Sequence, residues 1–386
     1  MKVRQRRTRR PRPASPAGNR VQFHFVDGAF VEITGDVDEE YLVEFIDSRT
    51  GERVHHARIR TNHWVRTARQ YFTPWRINVF RAKGHQRVFT HQYDGRGRRV
   101  YVAFESKALG DTLAWFQTVE AFQRQQGCEL ICSTFMNGLF RAQYPDIRFV
   151  EPGETVHNLY AMYRVGWFCL PQGEIDFNRN PRDFRQQPLG ESAADILGVS
   201  YQPIRPRIAS AGNERPIPEK YACIAVHSTA QAKYWNNPSG WSEVVTHLLQ
   251  RGYRVMLLSV EGMQYMGNHV PAGVTPLPPG DIVRVADWLR HATVFVGIGS
   301  GLSWLAWAVG CKTCVISGFS LPYTEAPDMI RAGARPGDCS GCFNRHPLDP
   351  GDWNWCPDHK NTPRMFECTR NITGQDVIAL LAPHLD

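Results

Sequence analysis

Apolar and polar residues alternate with a period of two from Val21 to about Arg99. Such alternation indicates strands that bury one face. Asp27-Gly28 separates the first two runs, and Asp-Gly between alternating runs is a strong hairpin signal. Four further runs follow, separated by turns at glycine residues: Tyr41–Ile46, Arg53–Ile59, Trp75–Phe80 and Arg87–Tyr93. The pattern predicts a small antiparallel β domain or barrel.

The pattern changes after Tyr101, where short apolar runs alternate with segments of helical periodicity. This alternation is typical of a mostly parallel sheet with helices on both faces. The predicted strands are Val100–Phe104, Leu130–Ser133, Ile147–Val150, Tyr221–His227, Arg254–Val260, Thr293–Ile298 and Lys312–Ser317. The predicted helices are one ending near Gln126 and those at Trp241–Gln250, Ile282–His291 and Leu302–Val309. The fold class is therefore α/β, with two Rossmann-like lobes.

At 386 residues the chain is longer than one hydrophobic core supports, so several domains are expected. The predicted segments are a disordered Arg-rich tail (1–20), an N-terminal β domain (21–99), a first lobe (100–201), a proline-rich linker (202–220), a second lobe (221–337), a cysteine finger (338–370) and a C-terminal helix (371–386).

The net charge of +8 comes from the first 20 residues, which hold eight Lys and Arg and no acid. The rest of the chain holds 37 basic and 37 acidic residues and is therefore neutral. A basic arm can bind nucleic acid through phosphates, but a neutral body without a basic stripe argues against that function. No apolar run reaches the length of a membrane-spanning helix, and no signal peptide follows the basic start, so we expect a cytoplasmic protein without membrane or nucleic-acid partners.

Four cysteines fall within one short segment rich in Pro, Gly, Asp and Trp: Cys339, Cys342, Cys356 and Cys368. Four thiolates meet one tetrahedral ion when tight turns bring them together, so the spacing predicts a metal site. Disulfides are disfavoured in a reducing cytosol, and free cysteines or a redox pair are the remaining alternatives. Sulfur ligands suit both zinc and iron, and a closed four-thiolate shell leaves no open position for catalysis.

Two loops of the second lobe contain candidate phosphate ligands. The first follows a predicted strand and contains Thr229 and Lys233, a hydroxyl and a cation that can stabilise a diphosphate leaving group. The second runs from Gly297 to Ser303 between a buried strand and a helix, where backbone N–H groups can bind a phosphate. Both loops also have a reading without a ligand: a lysine such as Lys233 commonly lies on the surface, and glycines commonly just close tight strand-to-helix turns.

Two acids follow predicted strands. Glu261 follows the strand that starts at Arg254, a place where a carboxylate can accept hydrogen bonds from ribose hydroxyls; its alternative is a solvated loop acid. Asp111 stands at the turn into the first helix, where aspartate is often only a capping residue.

Together, Gly110-Asp111, the loop with Lys233, the Gly299–Ala306 turn and the cysteine segment resemble the bacterial autotransporter heptosyltransferases, relatives of the lipopolysaccharide heptosyltransferases. The resemblance covers nearly the whole chain from the β domain onward. It implies a GT-B glycosyltransferase fold, an ADP-heptose donor, and inverting transfer of heptose to serine, or threonine, hydroxyls of autotransporter adhesin passenger repeats. It also implies a ring of twelve subunits and iron, as Fe³⁺, in the cysteine finger, with zinc as the alternative.

The resemblance also implies roles for single residues. Asp111 would be the general base, and Glu261 would bind the adenosine ribose. Donor diphosphate binding falls to Thr229, Lys233, Ser300, Gly301 and Leu302, and no catalytic divalent metal is then required.

The residues leave two rival functions open. Lipopolysaccharide heptosyltransferases carry an acid at the position of Gly299, so heptose recognition must differ here, and another nucleotide sugar or a lipopolysaccharide acceptor remains an alternative. A zinc-knuckle nucleic-acid-binding protein is the alternative from another class.

Overall fold

The computed structural model describes residues 18–212, 214–259 and 261–386. Most of the predicted Arg-rich tail therefore lies outside the described residues. Its last residue, Arg20, already begins the first strand. The described chain divides into an N-terminal unit within residues 18–94 and a larger unit that contains 69–72 and the chain from 95 onward.

The N-terminal unit consists of antiparallel strands. They are β1 (Arg20–Val26), β2 (Phe30–Thr34), β3 (Glu40–Asp47), β4 (Arg53–Arg60), β5 (His63–Arg66), β6 (Trp75–Arg81) and β7 (Arg87–Gln92). β2 pairs with β1 and β5, while β3 pairs with β4 and β6 and β6 also pairs with β7. The alternation placed these strands because residues such as Val31 and Ile33 are fully buried on one face. It missed β5, which is only four residues long.

The first lobe of the larger unit is a parallel sheet in the order β10-β9-β8-β11. Its elements are β8 (Arg99–Phe104), α1 (Leu109–Gln126), β9 (Glu129–Ser133), α2 (Asn137–Phe140), β10 (Arg148–Phe149), β11 (Ala161–Val165) and α3 (Leu189–Leu197). α1 ends at Gln126 as predicted, because Gly127 takes the left-handed conformation of a C-cap (φ 58°). Sequence periodicity did not reveal β11 and α3.

The second lobe is a six-stranded parallel sheet in the order β14-β13-β12-β15-β16-β17. Its elements are β12 (Tyr221–Ala225), α4 (Gly240–Gln250), β13 (Arg254–Leu257), β14 (Thr275–Pro276), α5 (Ile282–His291), β15 (Val294–Ile298), α6 (Gly301–Ala308), β16 (Thr313–Ser317) and β17 (Ile330–Gly333). The predicted strand Arg254–Val260 is too long, since β13 ends at Leu257. β12, β15 and β16 are buried on both faces, which explains their continuous apolar sequences.

The predicted linker contains no helix or strand in its described residues, yet it packs on both lobes. The Ala209 N–H donates to the Leu139 carbonyl of the first lobe. Ser210 Oγ and the Ala211 N–H donate to the carboxylate of Asp287 in the second lobe at 2.7 and 2.8 Å. These contacts hold the segment between the lobes in a defined path.

The C-terminal part contains the short helices α7 (Cys342–Arg345) and α8 (Glu367–Arg370), followed by α9 (Gly374–Leu381). Thr373 and Asp376 form a capping box that begins α9. α9 packs on α4, and its buried Val377 and Leu381 extend the core of the second lobe. Within the described residues, no helix combines the length and the apolar character needed to cross a membrane.

Candidate functional site

The two lobes meet where α1 and α6 begin. A Cβ placed on Gly301 would lie 2.8 Å from Leu109 Cβ, closer than real Cβ atoms approach, and 3.0 Å from the Gly110 nitrogen, tighter than most real Cβ contacts. A Cβ on Gly110 would lie 3.0 Å from Trp304 Cδ1. Glycine at both positions therefore permits the helix N-termini to touch, and the N–H groups of their first turns form one positively polarised edge.

Asp111 lies in the first turn of α1, at this junction. It is not a cap: the N-cap is Ala108, and the Asp111 carboxylate instead accepts from Ser106 Oγ at 2.5 Å and Trp167 Nε1 at 2.7 Å. Burial raises the pKa of Asp111, although these two hydrogen bonds and the positive charge of Lys233 act in the opposite direction. A carboxylate with a raised pKa is a better base than an exposed one.

Lys233 comes from the loop after β12 in the other lobe. Burial lowers the pKa of Lys233, and its attraction to Asp111 opposes that shift. The fold thus brings a carboxylate and an ammonium group from separate lobes close enough to attract each other, without a direct ion pair between them in the described structure. Paired ionisable groups with shifted pKa values are typical of functional sites.

The other predicted donor-binding residues lie at the carboxyl ends of strands in the second lobe. Ser300 precedes α6, and its hydroxyl is buried without a hydrogen-bond partner in the described structure. Gly301 and Leu302 form the first turn of α6, and Thr229 is exposed in the loop after β12. The carboxyl edge of a parallel sheet is where such folds bind ligands.

Glu261 lies beyond β13 in a loop. Its carboxylate accepts from Ser259 Oγ at 2.7 Å and interacts electrostatically with His227. His227 ends the run that β12 begins, and burial lowers the pKa of its ring. The sequence did not single out His227, although its place directly after a buried strand was a usable signal.

The cysteine segment folds against the same edge. Gly341 takes a left-handed conformation (φ 73°) between Cys339 and Cys342, which turns the two thiols toward each other. Among the described residues, the ligand atoms of Cys339, Cys342 and Asp358 lie within 4.8 Å of one another, and Arg345 donates to Asp358 at 2.6 Å. The sequence analysis missed Asp358, because its carboxylate reaches the thiols only through the folding of the intervening turns.

Cys356 and Cys368 do not belong to that group of three ligand atoms in the described structure, but Cys368 lies close enough to Cys339, Cys342 and Cys356 to interact with them electrostatically. Burial and the nearby thiols of Cys339 and Cys356 raise the pKa of Cys368 to about 12. All four thiols are free of disulfides, and three are buried. Clustered, buried thiols that repel each other as thiolates suit a cation, because a bound ion reverses the sign of that interaction. The donor set therefore fits a metal ion.

Comparison with known proteins places these features in a family. The profile of glycosyltransferase family 9 (heptosyltransferase) matches residues 194–325. The autotransporter heptosyltransferase BAHTCr of Citrobacter rodentium is 38% identical over 381 residues, which cover 96% of this chain and 90% of the relative. BimC of Burkholderia thailandensis, named an inactive autotransporter heptosyltransferase, is 34% identical over 92% of this chain and 84% of its own.

Two crystal structures of TibC from Escherichia coli share the architecture. The first is described as a bacterial iron-containing dodecameric glycosyltransferase; it has a TM-score of 0.84 and 36% identity, covering 97% of this chain and 98% of TibC. The second contains ADP-D-beta-D-heptose; it has a TM-score of 0.83 and 36% identity over 94% of this chain and 95% of TibC.

Proposed function

The chain belongs to the autotransporter heptosyltransferases, glycosyltransferases of the family 9 fold, and from that membership we propose that it transfers heptose from ADP-heptose to protein hydroxyls. The acceptors would be serine or threonine residues in the passenger repeats of an autotransporter adhesin, and the anomeric configuration would invert. The relatives' names and the ADP-heptose bound to TibC support this assignment.

The observation that carries the proposal is the pairing of Asp111 and Lys233 across the two lobes. One relative is described as inactive, so membership alone does not establish catalysis. Here burial raises the pKa of Asp111 and lowers the pKa of Lys233 at one shared edge. Such a pair supplies a base on one side of the reacting carbon and a charge stabiliser on the other.

In the proposed reaction, the carboxylate of Asp111 takes the proton of the acceptor hydroxyl as its oxygen forms a bond to the anomeric carbon. The bond from that carbon to the diphosphate oxygen breaks, and its electron pair leaves with ADP. The ammonium group of Lys233 and the N–H groups of Ser300, Gly301 and Leu302 stabilise the charge that develops on the diphosphate. Proton transfer occurs late, because a carboxylate is a weak base toward an alcohol.

Two further residues would complete donor binding. The Thr229 hydroxyl, exposed after β12, can donate to the diphosphate. The Glu261 carboxylate can accept from the ribose hydroxyls in place of Ser259 Oγ, the donor it now has at 2.7 Å.

We propose that Cys339, Cys342, Cys356 and Cys368 hold one iron ion, with zinc as the alternative. The description of TibC as iron-containing and the clustered free thiols support this assignment. A four-thiolate ion would stabilise the fold of the segment. We also propose that the subunits assemble into a dodecamer like that described for TibC, with the N-terminal antiparallel strands as a separate β domain and the cysteine finger contributing to assembly.

The intact mass of an autotransporter passenger fragment tests the function. The fragment is incubated with this protein and ADP-heptose, beside a reaction with a UDP-hexose and a third with Asp111→Asn. Stepwise additions of one heptose mass with ADP-heptose alone, absent with the variant, are expected. Additions from the UDP-hexose would overturn the donor assignment. No addition from either donor, with folded protein, would overturn the proposed activity.

A further inference from the structure

Both hydrogen bonds to the Asp111 side chain end on the same oxygen. Ser106 Oγ donates to Oδ2 at 2.5 Å, and Trp167 Nε1 donates to Oδ2 at 2.7 Å. In the described structure, Oδ1 receives no side-chain donor. The two oxygens of the carboxylate therefore differ, and only Oδ1 keeps its lone pairs free for a proton.

The register of the first-lobe sheet explains why both donors lie near Asp111. β8 and β11 are parallel, with Phe104 opposite Val165. Ser106 and Trp167 each follow two residues after this pair, so both leave the sheet at the same point and face the start of α1. A Cβ on the intervening Gly166 would come within 3.0 Å of Glu105 Cβ, so the two strand ends run side by side.

We propose that Trp167 is a positioning residue, which with Ser106 fixes Asp111 through Oδ2 so that Oδ1 faces the acceptor hydroxyl. This inference rests on the proposed role of Asp111 as the base. An indole N–H suits the task because it only donates and cannot take the proton itself. A fixed carboxylate loses less freedom on reaching the reactive geometry than a rotating one.

Trp167 is held in turn by aromatic rings on three sides. Its ring centroid lies 4.6 Å from Phe184, 5.3 Å from Trp115 and 6.0 Å from Phe343. Phe343 directly follows Cys342 in α7. The proposed metal segment therefore forms one wall of the pocket that holds the Trp167 ring, and the metal segment supports the base through this contact.

The charged groups around Asp111 determine how the loss of the Trp167 hydrogen bond would change the pKa of Asp111. The ammonium group of Lys233, in the second lobe, attracts the carboxylate electrostatically. On the loop before α1, Glu105 pairs with Arg164 at 2.6 Å and Lys107 lies over the Phe135 ring. A hydrogen bond to a carboxylate favours its charged form, so loss of the Trp167 donor raises the pKa of Asp111 further. The protonated, inactive form then persists to higher pH.

Trp167→Phe tests the inference, because it removes the N–H and keeps a ring of similar packing. Trp115→Phe is the matched control: Trp115 belongs to the same stack, but its N–H donates to the Leu189 carbonyl and Ser192 Oγ. Ser106→Ala removes the other hydrogen-bond donor to Oδ2, so it can be measured in place of Trp167→Phe if that variant fails to fold. The measurements are the pH dependence of ADP release from ADP-heptose with the passenger fragment, and the Kd of ADP-heptose.

The expected result is that Trp167→Phe and Ser106→Ala move the acidic limb of the pH profile to higher pH and lower kcat about tenfold or more. The Kd should stay unchanged, and Trp115→Phe should not move the limb. If the acidic limb of the pH profile is unchanged in Trp167→Phe, or in Ser106→Ala in its place, while Asp111→Asn is inactive, the positioning role is wrong. Asp111 then remains the proposed base. If Asp111→Asn still transfers heptose, the base itself is wrong, which is a failure of the proposed function.

Discussion

The ammonium group of Lys233 lies 5.2 Å from the centre of the Phe319 ring. Phe319 also packs on Phe343 and Trp355, and all three belong to a cluster that includes Cys342 and Ala232, the neighbour of Lys233. The face of an aromatic ring attracts a cation, so the ring keeps a partly desolvated lysine charged and in place. Lys233 is thus supported from the side of the cysteine segment, as Trp167 is.

Replacing Lys233 by alanine should reduce transfer strongly. The variant loses the charge that stabilises the departing diphosphate, and loss of one such group costs about 10²–10³-fold in kcat. Steady-state kinetics with ADP-heptose measures the effect. Lys312→Ala is the control, since Lys312 is exposed immediately before β16, at the opposite edge of the sheet. Equal kinetics for the two variants would rule out the phosphate role.

Replacing Asp111 by asparagine should abolish transfer without loss of donor binding. The amide keeps the shape of the side chain but cannot take the acceptor proton. Calorimetric titration with ADP-heptose and mass measurement of the passenger fragment separate the two effects. Turnover near the wild-type rate would remove Asp111 from the mechanism.

Activity should fall on acidification at a higher pH than an exposed aspartate would give. The active form of the base is unprotonated, and burial raises the pKa of Asp111. Activity is therefore complete above this raised pKa and is lost as the pH falls through it. The pH dependence of kcat/KM measures the limb. A limb in the range of an exposed aspartate would contradict the raised pKa.

Gly301→Ala should lower kcat/KM, because the added methyl would meet Leu109 and the Gly110 backbone where the two lobes touch. Separation of α1 from α6 would move Asp111 away from Lys233. Gly138→Ala in α2 is the control, since a Cβ there meets no atom within 4 Å. If both variants keep wild-type kinetics, the close approach of the helices is not needed for catalysis.

Cys339→Ala and Cys356→Ala should each release the metal and lower the thermal midpoint. The remaining thiolates lose the ion that offsets their mutual repulsion. Elemental analysis and thermal unfolding measure the two effects. The ratio of iron to zinc in the wild-type protein identifies the ion. Cys169→Ala is the control, because Cys169 is exposed outside the segment. Full metal content in either finger variant would show that the four-cysteine site is wrong.

The sequence by itself determined most of the elements. Alternation located the N-terminal strands because side chains of a strand alternate between two faces, and continuous apolar runs located β12, β15 and β16 because both faces are buried. Gly127 ends α1 where expected, and the cysteine spacing indicated a metal segment. Each of these signals is local, so a single chain is enough to display it.

Only the tertiary structure decided which side chains meet. Trp167 reaches Asp111 because β11 lies beside β8 in register, and β11 itself was missed. Lys233 rests on Phe319, which is far away in the chain, and Asp358 reaches the thiols of Cys339 and Cys342 through the folding of the turns between them. Strand order and register set these distances, and neither can be read from the periodicity of a single sequence.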